Sequence, residues 1–418
     1  MPKPKNVEQQ EWLLMLGASA DQVFAIRTAQ AMGFCVVAAD VNPDSPGFLI
    51  ADYSALVSIR NIPALIAFID AFRLQRHHVS GVLVQGSDIP QVGCALAAHI
   101  GSPSIPMESA QISTHKYKMK CCFQERGVPI PWFSLVESSA HLKQIVSERG
   151  YPLIIKPVDR SGARGVFYLS EGCDLEDLFQ QSRQLSYSGE VMAEEYLPGL
   201  QISTETVMYQ GKAYSPGFAD RNYEKLMAYA PNIIENGGWM PSSVTPEQRL
   251  AVEQLVERAG IALGVTDGVV KGDVVLTPDG PKMIEMAARL SGGDFSESLI
   301  PLGCGVNIVE AAINIATGHK PDLQKLEPQF HLGVANRYFF PPAGRLIRIE
   351  GSELVQKQPW VKKLEFGYKP GDLIPQIKSH ADRFGVFVVV GKNREEIETR
   401  ISWVYETIKI NVDTGITQ

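Results

Sequence analysis

Two acidic side chains, Asp273 and Glu285, flank a tight turn and could together hold a metal ion. Apolar runs surround the Pro-Asp-Gly sequence at 278–280, which predicts a hairpin with a three-residue loop and its glycine in the left-handed conformation. In that register Thr277 faces Pro281. Asp273 then lies opposite Glu285 on one face, with Cβ atoms about 4.5 to 5.5 Å apart.

Like charges this close repel each other, so a cation between them would stabilise the arrangement. Carboxylates with no histidine or cysteine alongside suit Mg²⁺ or Mn²⁺, and Mg²⁺ usually completes its coordination with waters and substrate phosphates. The pair therefore predicts a metal bound together with a nucleotide. The alternative is an exposed hairpin that merely carries two acids. The apolar character of both strands argues against it, because a solvated face would hold more polar residues.

Basic side chains near a glycine-rich loop could bind a transferring phosphoryl group. Arg289 follows Glu285 by four residues, and a guanidinium there could clamp such a group. An ordinary ion-pair arginine is the alternative. Lys156 ends an apolar run, and the loop 159–165 separates it from the next run. This loop lacks the P-loop pattern. It predicts a mobile flap whose backbone N–H groups close over phosphates, with Lys156 as a point charge beneath.

The segment from Glu194 to Gly199 follows another apolar run. It could be a hinge whose backbone groups bind an adenine edge, with an acid free for the ribose. It could equally be the polar end of a strand. The residues alone leave both interpretations open.

The elements that must hold these residues are those of an α/β protein. Apolar runs at 12–16 and 35–39 flank a helical stretch, and the run at 81–84 precedes another helix, which predicts a small doubly wound domain. Gly17-Ala18-Ser19 lacks the other glycines of a dinucleotide motif and is predicted to be a tight turn. Proline-rich residues 102–106 mark a boundary. The C-terminal region is predicted to contain strands and a last helix, at residues 332–340, 346–350, 361–366, 385–390 and 394–408.

Composition bounds the class of protein. With 418 residues, 45% hydrophobic and 20% charged, the chain predicts a globular protein of two or three domains. A formal net charge of −7 argues against nucleic acid or an anionic membrane as the main partner. Six cysteines without CxxC spacing predict reduced thiols and no zinc site. The polar N-terminus and the short apolar runs predict neither a signal peptide nor a membrane span, so a cytoplasmic location is expected.

Taken in order along the chain, these motifs resemble the ATP-grasp superfamily, and the resemblance covers nearly the whole chain. Thr114-His115-Lys116 and Ile155-Lys156-Pro157 resemble its two nucleotide-binding lysine motifs, and the loop 159–165 resembles its lid. The resemblance implies an α/β ATP-grasp fold with an N-terminal doubly wound domain and a C-terminal α+β domain. The implied divisions are 1–108 for the N-terminal domain, 109–327 for the ATP-grasp domain with its lid at about 132–198, and 328–418 for the C-terminal domain.

The same resemblance implies a site for ATP with Mg²⁺ or Mn²⁺. Asp273 and Glu285 match the metal-binding acids of the family. Arg289 and Lys156 match residues that act on the transferred phosphoryl group, and Arg289 would steady the acyl phosphate. The residues implied in nucleotide binding are Lys116, Lys156, Ser161, Gly162, Gly165, Glu194, Glu195, Leu197 and Gln201.

Two positions depart from the family pattern. Gln201 stands where a glutamate usually approaches the ribose, and Glu205 is the next acid. Ala287 stands where many members have an asparagine two residues after the second metal acid. This Ala-Ala-Arg version of the motif is more similar to the L-amino acid ligase branch.

The C-terminal segment also resembles that branch, and it resembles the C-terminal domain of biotin carboxylase. By that likeness Arg337 would contact a substrate carboxylate, whereas a strand arginine on the domain surface is the alternative. Residues 220–223 and 235–241 lie where such enzymes build the acceptor pocket. The substrate contacts that this implies are Arg221, Glu235 and Gly238.

The function implied by the resemblance is an ATP-dependent ligase. It would activate a small-molecule carboxylate as an acyl phosphate and join it to an amine, releasing ADP and phosphate. One alternative is a carboxylase of the same fold that activates bicarbonate. The other is a nucleotide-binding regulatory protein without catalysis, for which Gln201 and Ala287 are the only hints. The oligomeric state stays open, with a homodimer as the commonest assembly of soluble enzymes.

Overall fold

A four-stranded parallel sheet forms the N-terminal part of a computed structural model that describes residues 10–415. Residues 1–9, most of the polar N-terminus named above, lie outside the described residues. The sheet order is β3-β2-β1-β4. Leu13 and Met15 enter one core while Leu14 and Leu16 enter another, so the sheet is covered on both faces and the predicted doubly wound fold is confirmed. The elements are β1 Glu11–Leu16, α1 Ala20–Ala31, β2 Cys35–Asp40, a 3₁₀ turn Pro46–Leu49, β3 Tyr53–Leu56, α2 Ile62–Leu74, β4 His78–Val84 and α3 Pro90–Ile100.

A second sheet of four antiparallel strands, order β5-β8-β6-β7, carries the predicted glycine loop between β6 and β7 and forms the lid. The elements of this region are α4 Met107–Ser113, α5 Lys116–Glu125, β5 Phe133–Val136, α6 Ser139–Arg149, β6 Leu153–Pro157, β7 Phe167–Leu169, α7 Leu175–Leu185 and β8 Val191–Glu195. The Tyr168 N–H donates to the Pro231 carbonyl at 2.8 Å, and the His380 N–H donates to the Gly162 carbonyl at 3.1 Å. These bonds hold the lid against the rest of the molecule.

The middle region supplies the long strands that face the lid. Its α9 begins with a capping box formed by Thr245 and Gln248, with Pro246 at the first helical position. The elements are β9 Leu200–Tyr209, β10 Lys212–Arg221, α8 Leu226–Tyr229, β11 Gly238–Met240, α9 Pro246–Ala262, β12 Gly268–Thr277, β13 Gly280–Ala287, a π turn Phe295–Leu299, α10 Ile300–Cys304, α11 Ile308–Ala316 and a 3₁₀ turn Leu323–Leu326.

The C-terminal region extends the same sheet, whose order is β13-β12-β9-β10-β11-β14-β18-β16. This sheet runs across the predicted boundary at residue 328, although the C-terminal region has a hydrophobic core of its own around Phe384 and Phe387. The division into domains stays a prediction. Among residues 10–415, every helix is too short or too polar to cross a bilayer. The elements are β14 Gly333–Phe339, β15 Gly344–Glu350, α12 Ser352–Gln356, β16 Val361–Phe366, β17 Leu373–Ile374, a 3₁₀ turn His380–Asp382, β18 Gly385–Gly391, α13 Arg394–Thr407 and β19 Lys409–Asp413.

The hairpin of β12 and β13 carries the predicted acidic pair. Asp273 lies opposite Glu285, as predicted, but the register beside the turn was predicted wrongly, because Thr277 pairs with Gly280 rather than with Pro281. The register then shifts by one residue next to Asp273. This β-bulge restores the predicted opposition of the two acids, and bulges of this kind are frequent beside active sites.

Gly237, which precedes β11, allows a close approach that a side chain would prevent. Its φ is +71°, and an added Cβ would overlap the Asn336 carbonyl oxygen. Gly211 has a similar φ of +75°, but none of the described atoms lies within 4 Å of its added Cβ. The two positions therefore separate the cost of the backbone conformation from the cost of the overlap.

Gly237→Ala should lower the free energy of unfolding by about 1 to 3 kcal/mol more than Gly211→Ala does, because overlap adds that amount to a conformational cost of roughly 1 to 2 kcal/mol that both variants share. Denaturant unfolding of both variants measures the difference. Equal losses would show that the approach to Asn336 does not require the glycine.

Candidate active site

The first cavity, of about 290 Å³, lies between the lid sheet and the hairpin of β12 and β13. Its lining comes from α5, the lid loop, β8 and the hairpin, so tertiary contacts bring together segments that are distant in sequence. Most of the predicted site residues line it. They are Lys116, Lys156, Ser161, Gly162, Glu194, Glu195, Leu197, Gln201, Arg221, Asp273, Glu285 and Arg289.

A buried ion triad of Lys120, Lys156 and Glu194 stands at one wall of this cavity. The Lys120 Nζ lies 2.5 Å from one Glu194 oxygen, and Lys156 pairs with the other. Burial lowers the pKa of Lys120 to about 8, with Glu194 opposing that shift. The carboxylate of Glu194 is therefore engaged by two lysines, and its contact with a nucleotide stays a prediction.

Sequence reasoning missed Lys120. Lys120 follows Lys116 by four residues in α5, and this spacing places both side chains on one face of the helix. Both lysines are buried in the structure. A buried lysine requires an acidic partner, so the helical spacing was a usable signal.

The two acids of the hairpin face the first cavity, and each already has a basic partner. The Lys116 Nζ lies 2.8 Å from Glu285, and Arg221 lies 3.0 Å from Asp273, which also pairs with Lys271. Burial disfavours the charged form, yet Arg221 and Lys271 lower the pKa of Asp273 well below its ordinary value. These basic groups relieve the repulsion between Asp273 and Glu285. The inference that this repulsion requires a metal is therefore corrected.

The acidic pair nevertheless fits a hard divalent cation in its donor chemistry. Asp273 and Glu285 offer carboxylate oxygens to a common space. Within residues 10–415, no cluster of three or more His, Cys, Asp or Glu side chains is placed to hold a metal ion by itself. The pair therefore suits Mg²⁺ that takes its remaining ligands from phosphate oxygens and water.

Arg289 is held in place by an acid from the N-terminal sheet. Its Nε and Nη2 donate to Asp88 Oδ1 at 3.0 and 2.6 Å. The loop after β4 is fixed beside it, because the Gly86 N–H donates to the Leu290 carbonyl at 3.0 Å. Burial favours the neutral acid, but the Arg289 guanidinium lowers the pKa of Asp88. Sequence reasoning missed Asp88, which has no spacing relation to Arg289.

Gln201 lines the first cavity, whereas Glu205 does not. Glu205 is fully buried and accepts hydrogen bonds from the Ser291 N–H at 2.9 Å and the Ser296 hydroxyl at 3.1 Å. Burial raises the pKa of Glu205. Glu205 therefore supports the loop after β13, and Gln201 is the side chain that faces the cavity at the expected ribose position.

A second cavity, of about 460 Å³, holds two of the predicted substrate residues, Glu235 and Gly238. It shares Arg221, Lys271 and Arg289 with the first cavity. The Arg221 Nε donates to Glu235 Oε2 at 3.1 Å, which places Arg221 between the two cavities. The structure thus joins the expected acceptor residues to the phosphate-facing ones through shared walls.

Two predicted site residues lie outside these cavities. Gly165 is buried in the lid loop with a φ of +71°, and its contact with a nucleotide stays a prediction. Arg337 is 2% exposed, donates to the Gly238 and Asn336 carbonyls at 3.0 and 2.7 Å, and lies over the Trp239 ring. Burial lowers the pKa of Arg337 to about 10. Nη2 of this guanidinium has no hydrogen-bond partner within residues 10–415, and the contact of Arg337 with a substrate carboxylate stays a prediction.

Two family models match this architecture. Residues 113–293 match the ATP-grasp domain, and residues 337–413 match the L-amino acid ligase C-terminal domain 2. The first match covers the lid, the acidic hairpin and most of the lining of the first cavity. The chain therefore contains an ATP-grasp domain and has the ATP-grasp fold.

Several individual proteins are similar to this chain, and two of them are L-amino acid ligases. The chain is 24% identical to the uncharacterized protein y4rH of Sinorhizobium fredii, over 85% of this chain and 72% of that protein. It is 22% identical to the L-arginine-specific L-amino acid ligase of Bacillus subtilis, over 77% of each. The crystal structure of an L-amino acid ligase from Bacillus licheniformis matches with a TM-score of 0.81 at 20% identity, covering 97% of this chain and 99% of that chain. The chain resembles the carboxylate–amine ligases of the ATP-grasp superfamily, as its motifs predicted.

His380 lines both cavities and is held as a neutral imidazole. Burial, followed by the charge of Arg383, lowers the pKa of His380 to about 3. Its Nε2 accepts the Glu235 N–H at 3.3 Å, which requires an unprotonated ring nitrogen. Sequence reasoning missed His380, which comes from the C-terminal region.

Stability should fall below about pH 6.5 because of His380, since the unfolded chain binds a proton there that the folded protein does not. Between pH 6.5 and 5 the wild type should lose about 1 to 2 kcal/mol more than His380→Gln, at up to about 1.4 kcal/mol per pH unit. Denaturant unfolding across this range measures it. The matched control, exposed His331→Gln, should lose as much stability as the wild type; a parallel loss in His380→Gln would contradict the neutral assignment.

Proposed function

We propose that this protein is an ATP-dependent carboxylate–amine ligase that forms an acyl phosphate and then an amide bond, releasing ADP and phosphate. The observation that supports this most directly is the shared wall of the two cavities, formed by Asp88, Arg221, Lys271 and Arg289. An acyl phosphate formed at this wall can be attacked from the second cavity without leaving the protein. Retention of this kind protects a reactive intermediate from water.

The activation step is an in-line attack of the substrate carboxylate on the γ-phosphorus of ATP, which breaks the bond to the bridging oxygen and releases ADP. Mg²⁺ bound with Asp273 and Glu285 would supply neutralisation of phosphate charge. Lys116 and Lys156 line the same cavity and would bind phosphate oxygens. Arg289, oriented by its bonds to Asp88, would stabilise the charge that develops on the acyl phosphate.

Asp21 supports an amine as the nucleophile. Its carboxylate lies beside Gly86 and Gly292, which leave it room at the second cavity. The nearby Lys363 is already paired with Asp294 at 2.8 Å. Burial, followed by the charge of Asp294, raises the pKa of Asp21. An ammonium group would relieve this excess negative charge and could pass a proton to Asp21 as the amine attacks.

A phosphate-release screen over a matrix of carboxylates and amines tests the proposal. Mass spectrometry identifies the coupled product, and nucleotide analysis distinguishes ADP from AMP. Amide formation with equimolar ADP and phosphate is expected for at least one pair. ADP formation that requires bicarbonate alone, or AMP formation, would exclude the proposed reaction.

Glu285→Gln should lower the rate of ATP-dependent phosphate release by about 100-fold or more, the loss typical for removal of one group that stabilises charge in the transition state. Asp279→Asn is the matched control, because it removes an exposed acid from the turn of the same hairpin. Its rate should equal that of the wild type. Unchanged release by Glu285→Gln with a confirmed substrate pair would exclude this site.

Asp21→Asn should lower amide formation with the amine substrate by about 10-fold or more. It should leave acyl phosphate formation intact, because Asp21 is assigned only to the amine. Hydroxylamine, which is neutral at pH 7, traps the acyl phosphate as a hydroxamate and measures the first step separately. Equal loss of the amide and the hydroxamate would contradict the assignment of Asp21 to the acceptor site. Asp44→Asn, which changes an exposed acid, serves as the control.

A further inference from the structure

A third cavity, of about 580 Å³, opens beside the phosphate-facing end of the first. It shares Asp88, Lys116, Arg160, Ser161 and Glu285 with the first cavity, and it has none of the residues 194–201 in its lining. Its volume is within the usual range for small-molecule sites. The remaining walls come from the N-terminal sheet, the start of α5 and the lid, and include Arg60, Gln91, Thr114, Lys118 and Arg164.

Four basic side chains reach this third cavity without an acidic partner. Arg60 and Lys118 are exposed, while Arg160 and Arg164 are half-buried. Among the described residues, the ion pairs of the cavity involve other basic groups, such as Lys116. Arg164 donates to a backbone carbonyl at 3.2 Å. The buried Nε of Arg160 has no hydrogen-bond partner within residues 10–415.

The acids in the same cavity do not neutralise these four groups. Glu285 is paired with Lys116 at 2.8 Å, and Asp88 is paired with Arg289 at 2.6 Å. Asp159 accepts hydrogen bonds from the turn that follows α7. Among the described residues, the other lysines and arginines of the first cavity have carboxylate partners, and Arg160 stands at the wall that the two cavities share. A surplus of positive charge in a chain of net charge −7 is therefore a local property of the third cavity.

The position of the third cavity relates it to the reaction. Arg60 follows β3 and Asp88 follows β4, at the carboxyl edge of the N-terminal parallel sheet, which is where open α/β sheets bind ligands. Lys116 and Glu285 at its inner end are the residues assigned to the phosphates. A molecule whose reacting carboxylate lies at that end would extend its other end toward Arg60 and Lys118.

We propose that the acid substrate carries a second anionic group, a carboxylate or a phosphate, and that the third cavity binds this group through Arg60, Lys118, Arg160 and Arg164. This inference rests on the proposed ligase function, since it names the class of acid that is activated. The amine would enter from the second cavity, which Asp21 lines and which meets the third at Asp88, Ser161 and Arg164. The two substrates would then be distinguished by charge, with the second anionic group of the acid toward Arg60 and Lys118 and the cationic amine toward Asp21.

Binding of a ladder of acids tests the assignment without knowledge of the substrate. Dicarboxylates from succinate to adipate are compared with monocarboxylates of the same chain length and with the matching ω-phosphonates. Calorimetry is performed with Mg²⁺ and a non-hydrolysable ATP analogue present. At least one doubly charged acid should bind 10-fold or more tightly than its monocarboxylate partner. The carboxylate and phosphonate arms distinguish the two sources of the second charge.

The double variant Arg60→Gln/Lys118→Gln should remove that preference and leave the affinity for the monocarboxylate and the ATP analogue unchanged. Arg27→Gln is the matched control, because Arg27 is also an exposed arginine of the N-terminal sheet region and lies outside the third cavity. It should behave as the wild type. With an active substrate pair, the same double variant should raise KM for the acid and not KM for ATP.

Three outcomes would overturn the inference. The double variant would weaken the ATP analogue if the third cavity served the nucleotide. Equal weakening of mono- and dicarboxylates would assign these residues to general attraction of anions. Equal binding of the doubly charged acids and the monocarboxylates by the wild type would exclude a second anionic group on the acid substrate. Failure of the ligase proposal is separate, because it is recorded by the absence of ADP and phosphate in the screen and not by these affinities.

Discussion

Charge neutralisation inside the cleft is the constraint on which the rest of this structure depends. Asp273 and Glu285 are forced together by the hairpin register, and neither is tolerated in a partly buried site without a cation. Lys116, Arg221 and Lys271 supply that cation. Each of these ion pairs can be exchanged for an interaction with a phosphate-bound metal. A site whose charges are balanced without a ligand is therefore also prepared to bind a ligand.

The basic and acidic groups of the cleft come from different parts of the chain, and this makes the domains depend on one another. Lys116 comes from α5, Lys156 from the lid, Asp88 from the N-terminal sheet and His380 from the C-terminal region. Lys116 pairs with Glu285 and Asp88 pairs with Arg289, so α5 and the loop after β4 cannot move far from β13 and the loop that follows it without exposing unpaired charges, whereas His380 is held there as a neutral ring by a hydrogen bond. The lid is additionally fixed by the His380 backbone, so motions of the lid and of the C-terminal region are expected to be coupled.

The three cavities differ in charge, and in the proposed reaction that difference determines which substrate enters which cavity. Among the described residues, the first is nearly balanced, the second contains an acid without a dedicated cation, and the third contains basic groups whose neighbouring acids are engaged by other partners. Arg289 lies between the first two and its partner Asp88 lines all three. In the proposed reaction an anionic acid and a cationic amine must meet at the carboxyl carbon of the acid. The cavities that meet around Arg289 and Asp88 would let the two substrates reach that carbon from different cavities.

The sequence by itself determined the fold class and most of the first cavity, because these depend on local patterns. Apolar runs predicted the parallel sheet, and the turn beside Asp273 and Glu285 predicted their opposition, although the bulge that secures it lies beyond any spacing rule. Only the tertiary structure decided the partners. Lys120 with Glu194, Asp88 with Arg289 and the burial of Arg337 depend on contacts between residues far apart in the chain. Spacing shows which residues share an element, whereas charge compensation is settled by packing between elements.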